Sequence, residues 1–164
     1  MIKIKGLHHA AYRCRNSEET RKFYEDFLGL PLVDAFQIGA TATGRSANVL
    51  HTFFAMEDGS CIAFFEEPDE SFDFKTQRDF DLHLALTVDA HTLHEMLERG
   101  KAQGIDTRGV TDHGFVHSIY FRDPNGYVVE LAAPVTRDST EDASNKSRGD
   151  TARTILAEWE SSKT

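Results

Sequence analysis

The sequence predicts an α+β fold made of two similar βαβββ halves, followed by a separate C-terminal tail. The first observation behind this prediction is an internal repeat: the apolar, strand-like segments 7–12 and 81–86 align with an offset of 74 residues. The second is that each segment leads into a helical pattern and then into three strand-like runs. At 164 residues, the chain is long enough for one domain of this kind with a substantial core.

In each half, the first strand is followed by one amphipathic helix. We predict the first helix over residues 17–28 and the second over residues 90–103, because apolar side chains recur there at helical spacing. Each helix begins at a capping side chain and ends at a glycine; these residues are Ser17 and Gly29 in the first half, and Asp89 and Gly104 in the second.

Six further strands complete the two halves. They are predicted over residues 31–38, 47–56, 60–66, 105–109, 115–122 and 127–132. The last two strands of each half are joined by a turn, which is Glu57-Asp58-Gly59 in the first half and Asp123-Pro124-Asn125-Gly126 in the second. The halves are therefore modules of about residues 5–67 and 80–134, and together they form one domain over residues 1–134.

The tail, residues 135–164, is predicted to be a polar linker up to residue 150 and then a short amphipathic helix over residues 151–161. Ile155, Leu156 and Trp159 lie on one side of that helix. A short helix with one apolar side needs that side covered, either by its own domain or by a second copy of the chain. We therefore expect a homodimer.

The composition limits the partners of the protein. The formal net charge is −9 and the pI is about 5.3, so the acidic surface repels phosphate backbones and no nucleic-acid partner is expected. No run resembles a signal peptide or a membrane span, so we expect a cytoplasmic protein with no membrane partner. Cys14 and Cys61 lie in apolar runs, where reduced thiols are expected.

Three residues are candidate ligands of one divalent metal ion: His9, His83 and Glu130. The repeat places His9 and His83 at equivalent positions, so a pseudo-twofold arrangement would point both into one concavity. Glu130 lies in an apolar strand, where a carboxylate is costly unless a cation neutralises it. Two imidazoles and one carboxylate suit Fe(II), Mn(II) or Zn(II). Taken singly, each residue also fits a structural role, and His8 is the alternative to His9.

At these residues the sequence resembles a known superfamily. The segments LHHAAYRC, FYEDFLGLPLV, HLALTV and IYFRDPNGYVVEL resemble the vicinal oxygen chelate superfamily, which includes glyoxalase I, fosfomycin-resistance proteins, bleomycin-binding proteins and type I extradiol dioxygenases. The resemblance covers about residues 5–134 and implies an open, cup-shaped mixed sheet around a metal ion that binds adjacent oxygens of a small-molecule substrate. His9, His83 and Glu130 match the metal positions of the superfamily.

The sequence departs from one branch of that superfamily. Glyoxalase I-like enzymes have a fourth protein ligand, a carboxylate on the last strand of the first half. Aligning Gly59 with Gly126 places Ala63 at that position, and strand alternation turns Glu66 to the opposite face. The resemblance therefore favours a site with three protein ligands.

The end of the second half also resembles the fingerprint of type I ring-cleaving dioxygenases. Its His, its Tyr, its D-P-x-G turn and its Glu are matched by His113, Tyr120, residues 123–126 and Glu130. By this resemblance, His113 would hydrogen-bond the substrate or oxygen, and Tyr120 would orient a substrate oxygen. These enzymes also use an acid–base histidine, for which His51 is the first candidate and His117 the second.

Together these residues favour an Fe(II)-dependent, dioxygenase-like oxidoreductase that uses O2 on a catechol-type or other vicinal-oxygen substrate. Mn(II), Zn(II) and Ni(II) are the alternative metals. Two other functions stay open. One is a glyoxalase-like lyase or isomerase, or a fosfomycin-resistance-like thiol transferase. The other is a non-catalytic protein in which several of the twelve phenylalanines line a site for an aromatic compound.

Overall fold

A computed structural model describes residues 3–135 and 141–163, with side chains described throughout except at residues 141–148 and 150. The elements, in chain order, are β1 (His9–Cys14), α1 (Ser17–Arg21, continued by a π-helical segment, Lys22–Phe27), β2 (Leu32–Ala40), β3 (Ser46–Ala55), β4 (Cys61–Glu66), β5 (His83–Thr87), α2 (Ala90–Ala102), β6 (Thr107–Asp112), β7 (Val116–Arg122), β8 (Val128–Pro134) and α3 (Glu141–Ser162). The predicted α+β fold with two βαβββ modules is confirmed.

The strands of the two modules form two separate four-stranded mixed sheets within the chain, rather than one continuous sheet. The first sheet has the order β1-β4-β3-β2, and the second has the equivalent order β5-β8-β7-β6. In each sheet the first strand of the module pairs in parallel with the last, and the other pairs are antiparallel. The repeat seen in the sequence is therefore a repeat of topology.

The helix caps explain where the helices begin. The N-cap of α1 is Asn16, whose Oδ1 accepts a hydrogen bond from Glu19 N at 2.9 Å. The prediction that Ser17 caps this helix is wrong by one residue, because Asn16 is also a capping type and its side chain reaches the free amide. The prediction for α2 is confirmed, since Asp89 Oδ1 accepts from Thr92 N at 2.6 Å.

One hydrophobic core joins both modules. The face of each sheet that packs on the helices, here called the inner face, contributes Phe54 and Phe64 from the first sheet and Phe121 from the second. Phe27 of the π-helical segment packs edge-on against Phe121, with ring centroids 5.1 Å apart. Because side chains alternate along a strand, the opposite face of each sheet, the outer face, points away from this core.

The turn between β7 and β8 holds the modules together. Asp123 accepts a hydrogen bond from Tyr24 of α1's π-helical continuation at 3.1 Å. Asn125 is also fully buried: its Oδ1 accepts from Arg15 N at 2.8 Å, and its Nδ2 donates to Thr20 Oγ1 at 3.2 Å. This turn was predicted only as a hairpin turn, and it also anchors the second module on the first.

The C-terminal helix is longer than predicted. It begins at Glu141 and therefore occupies most of the segment that the sequence predicts as a polar linker. Residues 141–148 include good helix formers such as Glu, Ala, Lys and Arg and contain no proline, which explains the extension. Residues 136–140 and the side chain of Asp150 lie outside the described residues. Among the described residues, no helix has the length and apolar character to cross a membrane.

Candidate metal centre and substrate cavity

The outer face of the second sheet forms the floor of an open cavity of about 820 Å³. Two metal-ligand candidates, His83 on β5 and Glu130 on β8, meet in this floor, with His83 Nε2 at 3.1 Å from Glu130 Oε2. The remaining lining residues come from the segment between β4 and β5, from the strands of the second sheet and from the turn between β6 and β7. They are Thr76, Gln77, Arg78, Asp79, Phe80, Ala85, Arg108, His113, Phe115, Val116, Tyr120, Arg122 and Ala132.

Glu130 is a buried carboxylate, with 7% of its surface exposed. Its strand lies between β5 and β7, where Glu130 is opposite Ala85 on one side and Tyr120 on the other. One carboxylate oxygen accepts a hydrogen bond from Ser118 Oγ at 2.5 Å, and the other faces His83. A buried carboxylate whose second oxygen faces an imidazole is suited to share a cation with it.

His83 is held in the orientation that a metal ligand needs. Its Nδ1 lies 2.7 Å from the backbone oxygen of Asp79. A carbonyl oxygen only accepts, so Nδ1 is the donor in this contact, and Nε2 is the ring nitrogen that faces the Glu130 carboxylate. Metal-binding histidines are typically oriented by a hydrogen bond of this kind from the second ring nitrogen. The donors His83 and Glu130 therefore fit a divalent ion, as two of its ligands.

His113 and Tyr120 are also in this cavity. Tyr120 lies on β7 beside Glu130, and its hydroxyl is 2.9 Å from Nε2 of His113, which follows the end of β6. Burial, and next the charge of Glu130, raise the pKa of the Tyr120 hydroxyl above its usual value. Tyr120 is therefore a neutral hydrogen-bond donor at ordinary pH.

The first sheet carries the other two predicted site residues. His9 lies on its outer face, where its ring is 6.2 Å from that of His51 and 5.4 Å from that of Phe53. His51 is buried: its Nδ1 contacts Phe64 O at 2.9 Å and its ring stacks on Phe65 at 3.7 Å. Neither histidine lines the cavity of the second sheet. Across the described residues, no group of three or more His, Cys, Asp or Glu is close enough to hold a metal ion.

Three other residues that the sequence singles out lie outside the cavity of the second sheet. Ala63, at the position of the expected fourth ligand, is buried on the outer face of the first sheet opposite Phe53. Glu66 faces the other side, where it accepts a hydrogen bond from Ser17 N at 2.6 Å at the start of α1. His117 lies on β7 next to Ser118 and pairs with Asp112 at 3.6 Å, and it does not line the cavity.

Ser118, Asp79 and Arg108 contact the site and were not predicted. Strand alternation from Tyr120 could have identified Ser118, which lies two residues earlier on the same face. Asp79 acts through its backbone oxygen, and Arg108 reaches the cavity from an edge strand. No local signal in the sequence indicates either contact.

Comparisons with known proteins identify the family of the chain. The family model of the Glyoxalase/Bleomycin resistance protein/Dioxygenase superfamily matches residues 6–131. The chain belongs to this superfamily. The match covers both modules and ends before α3. No curated protein matches the chain.

Solved structures of the superfamily have the same fold. A glyoxalase/dioxygenase from Nostoc punctiforme matches with a TM-score of 0.63 and 23% identity, over 80% of this chain and 92% of that one. A glyoxylase/bleomycin resistance protein/dioxygenase domain from Frankia sp. EAN1pec matches with a TM-score of 0.65 and 17% identity, over 81% and 100%. The genomically encoded fosfomycin resistance protein FosX from Listeria monocytogenes, complexed with Mn(II) and a sulfate ion, matches with a TM-score of 0.61 and 22% identity, over 81% and 95%.

Proposed function

We propose that the chain is a metal-dependent, dioxygenase-like enzyme of the superfamily that acts on a catechol-type or other small molecule with two adjacent oxygens. The observation that supports this function is the set of side chains that meet in the cavity of the second sheet. A buried carboxylate and an oriented imidazole, Glu130 and His83, share its floor with the hydrogen-bonded pair Tyr120 and His113. Two metal ligands beside a neutral hydroxyl donor suit a substrate that binds through oxygen atoms.

The metal ion would be held by His83 and Glu130 of one chain and by His9 of a second copy. His9 is at the repeat position equivalent to His83, and its side chain is exposed on the outer face of the first sheet. Fe(II) is the metal that we propose, with Mn(II), Zn(II) and Ni(II) as alternatives. When bound, such an ion supplies a Lewis acid and a template for the two substrate oxygens.

Tyr120 and His113 would bind a substrate oxygen and transfer a proton to or from it. If His113 carries its proton on Nε2, it donates to the Tyr120 oxygen, and the Tyr120 hydrogen is free to bind a substrate oxygen. If His113 carries it on Nδ1, Tyr120 donates to His113 instead. The pair therefore connects a substrate oxygen with an exposed imidazole, while Ala85, Val116 and Ala132 give the cavity apolar walls.

Oxygen consumption tests the reaction. The full chain, loaded with Fe(II) without oxygen, should consume O2 with a catechol and form a coloured ring-fission product. Tyr120→Phe should lower kcat about 100-fold or more, since a positioned acid or base contributes roughly that factor. His117→Gln is the matched control, because His117 is on β7 outside the cavity, and it should keep the activity. No oxygen uptake with any catechol would sink the dioxygenase function.

Mixing two inactive variants tests whether the site is shared between chains. His9→Ala and His83→Ala should each lack activity alone, since each removes one ligand from both sites of a dimer. After mixing and exchange of subunits, about a quarter of the sites should have all three ligands, because half of the dimers are mixed and each contains one intact site. No recovery in the mixture would exclude a site completed by the second copy.

A second candidate function is a reaction of the fosfomycin-resistance kind on an anionic substrate. The observation that favours it is the presence of three arginines, Arg78, Arg108 and Arg122, in the cavity lining. Guanidinium groups suit phosphonate or carboxylate groups. Protein loaded with Mn(II) and supplied with fosfomycin and glutathione would then form a thiol adduct. Adduct formation without oxygen uptake on catechols would select this function over the dioxygenase.

A further inference from the structure

The connector between the two modules, residues 67–82, takes part in the cavity. It is fixed at one end, where Lys75 N donates a hydrogen bond to Asn125 O at 2.8 Å. At its other end it runs into β5, which begins with His83. Residues 76–80 between these points line one wall of the cavity.

Asp79 is the residue of this wall that contacts both halves of the site. Its backbone oxygen accepts the hydrogen bond from His83 Nδ1 at 2.7 Å. Its carboxylate accepts from Arg108 Nη2, at 2.9 Å for one oxygen and 2.8 Å for the other. The guanidinium carbon of Arg108 lies 5.3 Å from the centroid of the Tyr120 ring. A continuous set of contacts therefore runs from His83 through Asp79 and Arg108 to Tyr120.

The carboxylate of Asp79 is important because its backbone oxygen lies outside both sheets, where no strand pairing fixes its position. Asp79 lies in a turn that is outside both sheets and is closed by the bond from Asp81 N to Arg78 O at 2.9 Å. The bond that orients His83 therefore depends on what fixes this turn against the second sheet. The ion pair with Arg108 ties the turn to β6, a strand of the second sheet. The same pair holds the guanidinium over Tyr120, where a cation and an aromatic ring attract each other.

We propose that Asp79 is a positioning residue that fixes His83 and Tyr120 relative to each other, through its backbone oxygen on one side and Arg108 on the other. This inference rests on the proposed function, in which His83 binds the metal ion and Tyr120 faces the substrate. Its effect is on the geometry of both groups, and Asp79 is not one of the three proposed metal ligands.

Asp79→Asn tests this role, since it keeps the backbone oxygen and the size of the side chain but removes the charge. The first measurement is the tautomer of His83 in the metal-free protein, by ¹⁵N NMR. Wild-type protein should show Nδ1 protonated, because Asp79 O accepts from it, and the variant should show a lower population of this Nδ1 proton. The second is the Kd for Mn(II) alone, which should rise about tenfold, as for other changes that loosen an oriented ligand. Wild-type tautomer and Kd in the variant would overturn the proposal.

Two controls separate positioning from general damage. Asp81→Asn breaks a neighbouring pair, with Arg78 at 3.1 Å, in the same turn, and it should leave both measurements at their wild-type values. Arg108→Gln should raise the Kd as much as Asp79→Asn, and the double variant should add nothing further. Equal loss in the Asp81 variant, or additive losses in the double variant, would also overturn the role of Asp79.

The two measurements also distinguish the proposals from each other. If wild-type protein binds no Mn(II), or if His83→Ala does not weaken binding, the proposed function fails. The tautomer of His83 in metal-free protein still decides whether Asp79 orients it, because that measurement requires neither a metal ion nor a substrate.

Discussion

Replacing Gly126 with alanine tests how closely the connector approaches the turn of the second module. Gly126 has a positive φ of 96°, and a Cβ built there would lie 2.0 Å from Lys75 O and 2.6 Å from Lys75 N. These are backbone atoms, so no side-chain rotation relieves the overlap. The first module contains a matched control: Gly59 follows the equivalent turn with a φ of 83°, and its Cβ would meet nothing within 4 Å.

The structure gives the expected size of both effects. Alanine in the left-handed region costs about 1–2 kcal/mol, and this is the whole loss expected for Gly59→Ala. Gly126→Ala carries that cost plus the displacement of the connector, for which overpacking costs about 1–3 kcal/mol. It also breaks the bond from Lys75 N to Asn125 O, worth about 1 kcal/mol net. The two variants should therefore differ by about 2–4 kcal/mol in their free energies of unfolding.

Urea unfolding followed by circular dichroism measures this difference. The Kd for Mn(II) gives a second test, because displacing Lys75 also shifts the residues of the connector that precede His83. Gly126→Ala should raise that Kd, and Gly59→Ala should not change it. Equal losses of stability in the two variants would refute the reasoning, since both share the backbone conformation and differ only in the approach of the connector.

Four other predictions concern individual side chains. Thr52 is buried and its hydroxyl has no hydrogen-bond partner among the described residues, so Thr52→Val should raise the free energy of unfolding by about 1 kcal/mol; a loss in urea titrations would contradict this. Burial raises the pKa of the Cys14 thiol to about 11 from 9.0, so the unfolded chain loses this proton first and stability should fall as pH rises above 9.0, less steeply in Cys14→Ala. In the folded protein a thiol reagent at neutral pH should label Cys61 and spare Cys14, and labelling of both would show that Cys14 is accessible. Trp159 is 62% exposed, so in the isolated chain its fluorescence should already be that of a hydrated indole; a blue-shifted emission would show that α3 is covered.

The sequence predicts the elements well where local chemistry is decisive. The alignment of His9 with His83 identifies the repeat, and the capping side chain of Asp89 marks the start of α2. The cap of α1 was misplaced because Asn16 and Ser17 are both capping residues, and propensity alone does not choose between neighbours. The polar composition of residues 135–150 predicts a linker, whereas α3 begins at Glu141 because several residues there favour a helix.

The site is predicted only in part, because strand alternation gives the face of a side chain but not the packing of the sheets. Strand alternation is sufficient to place Tyr120 and Glu130 on adjacent strands of one face, and the structure brings His83 and His113 to the same cavity. Strand alternation does not predict which faces of the two sheets pack together within the chain. Both inner faces pack on the helices within the chain, so His9 is not brought to His83, and that outcome depends on tertiary packing. The contact from Asp79 uses a backbone oxygen, which no side-chain pattern reveals.

The bonds made by the turn between β7 and β8 have a consequence for the order of folding. Asn125 and Arg15 are 110 residues apart in the chain, and Asp123 and Tyr24 are 99 apart. Closing loops of this length before any other structure exists is entropically unfavourable, whereas the hairpins within each module close over short distances. Each module should therefore assemble before the two dock. Because the connector is anchored on Asn125, the wall of the cavity should be among the last parts to become ordered.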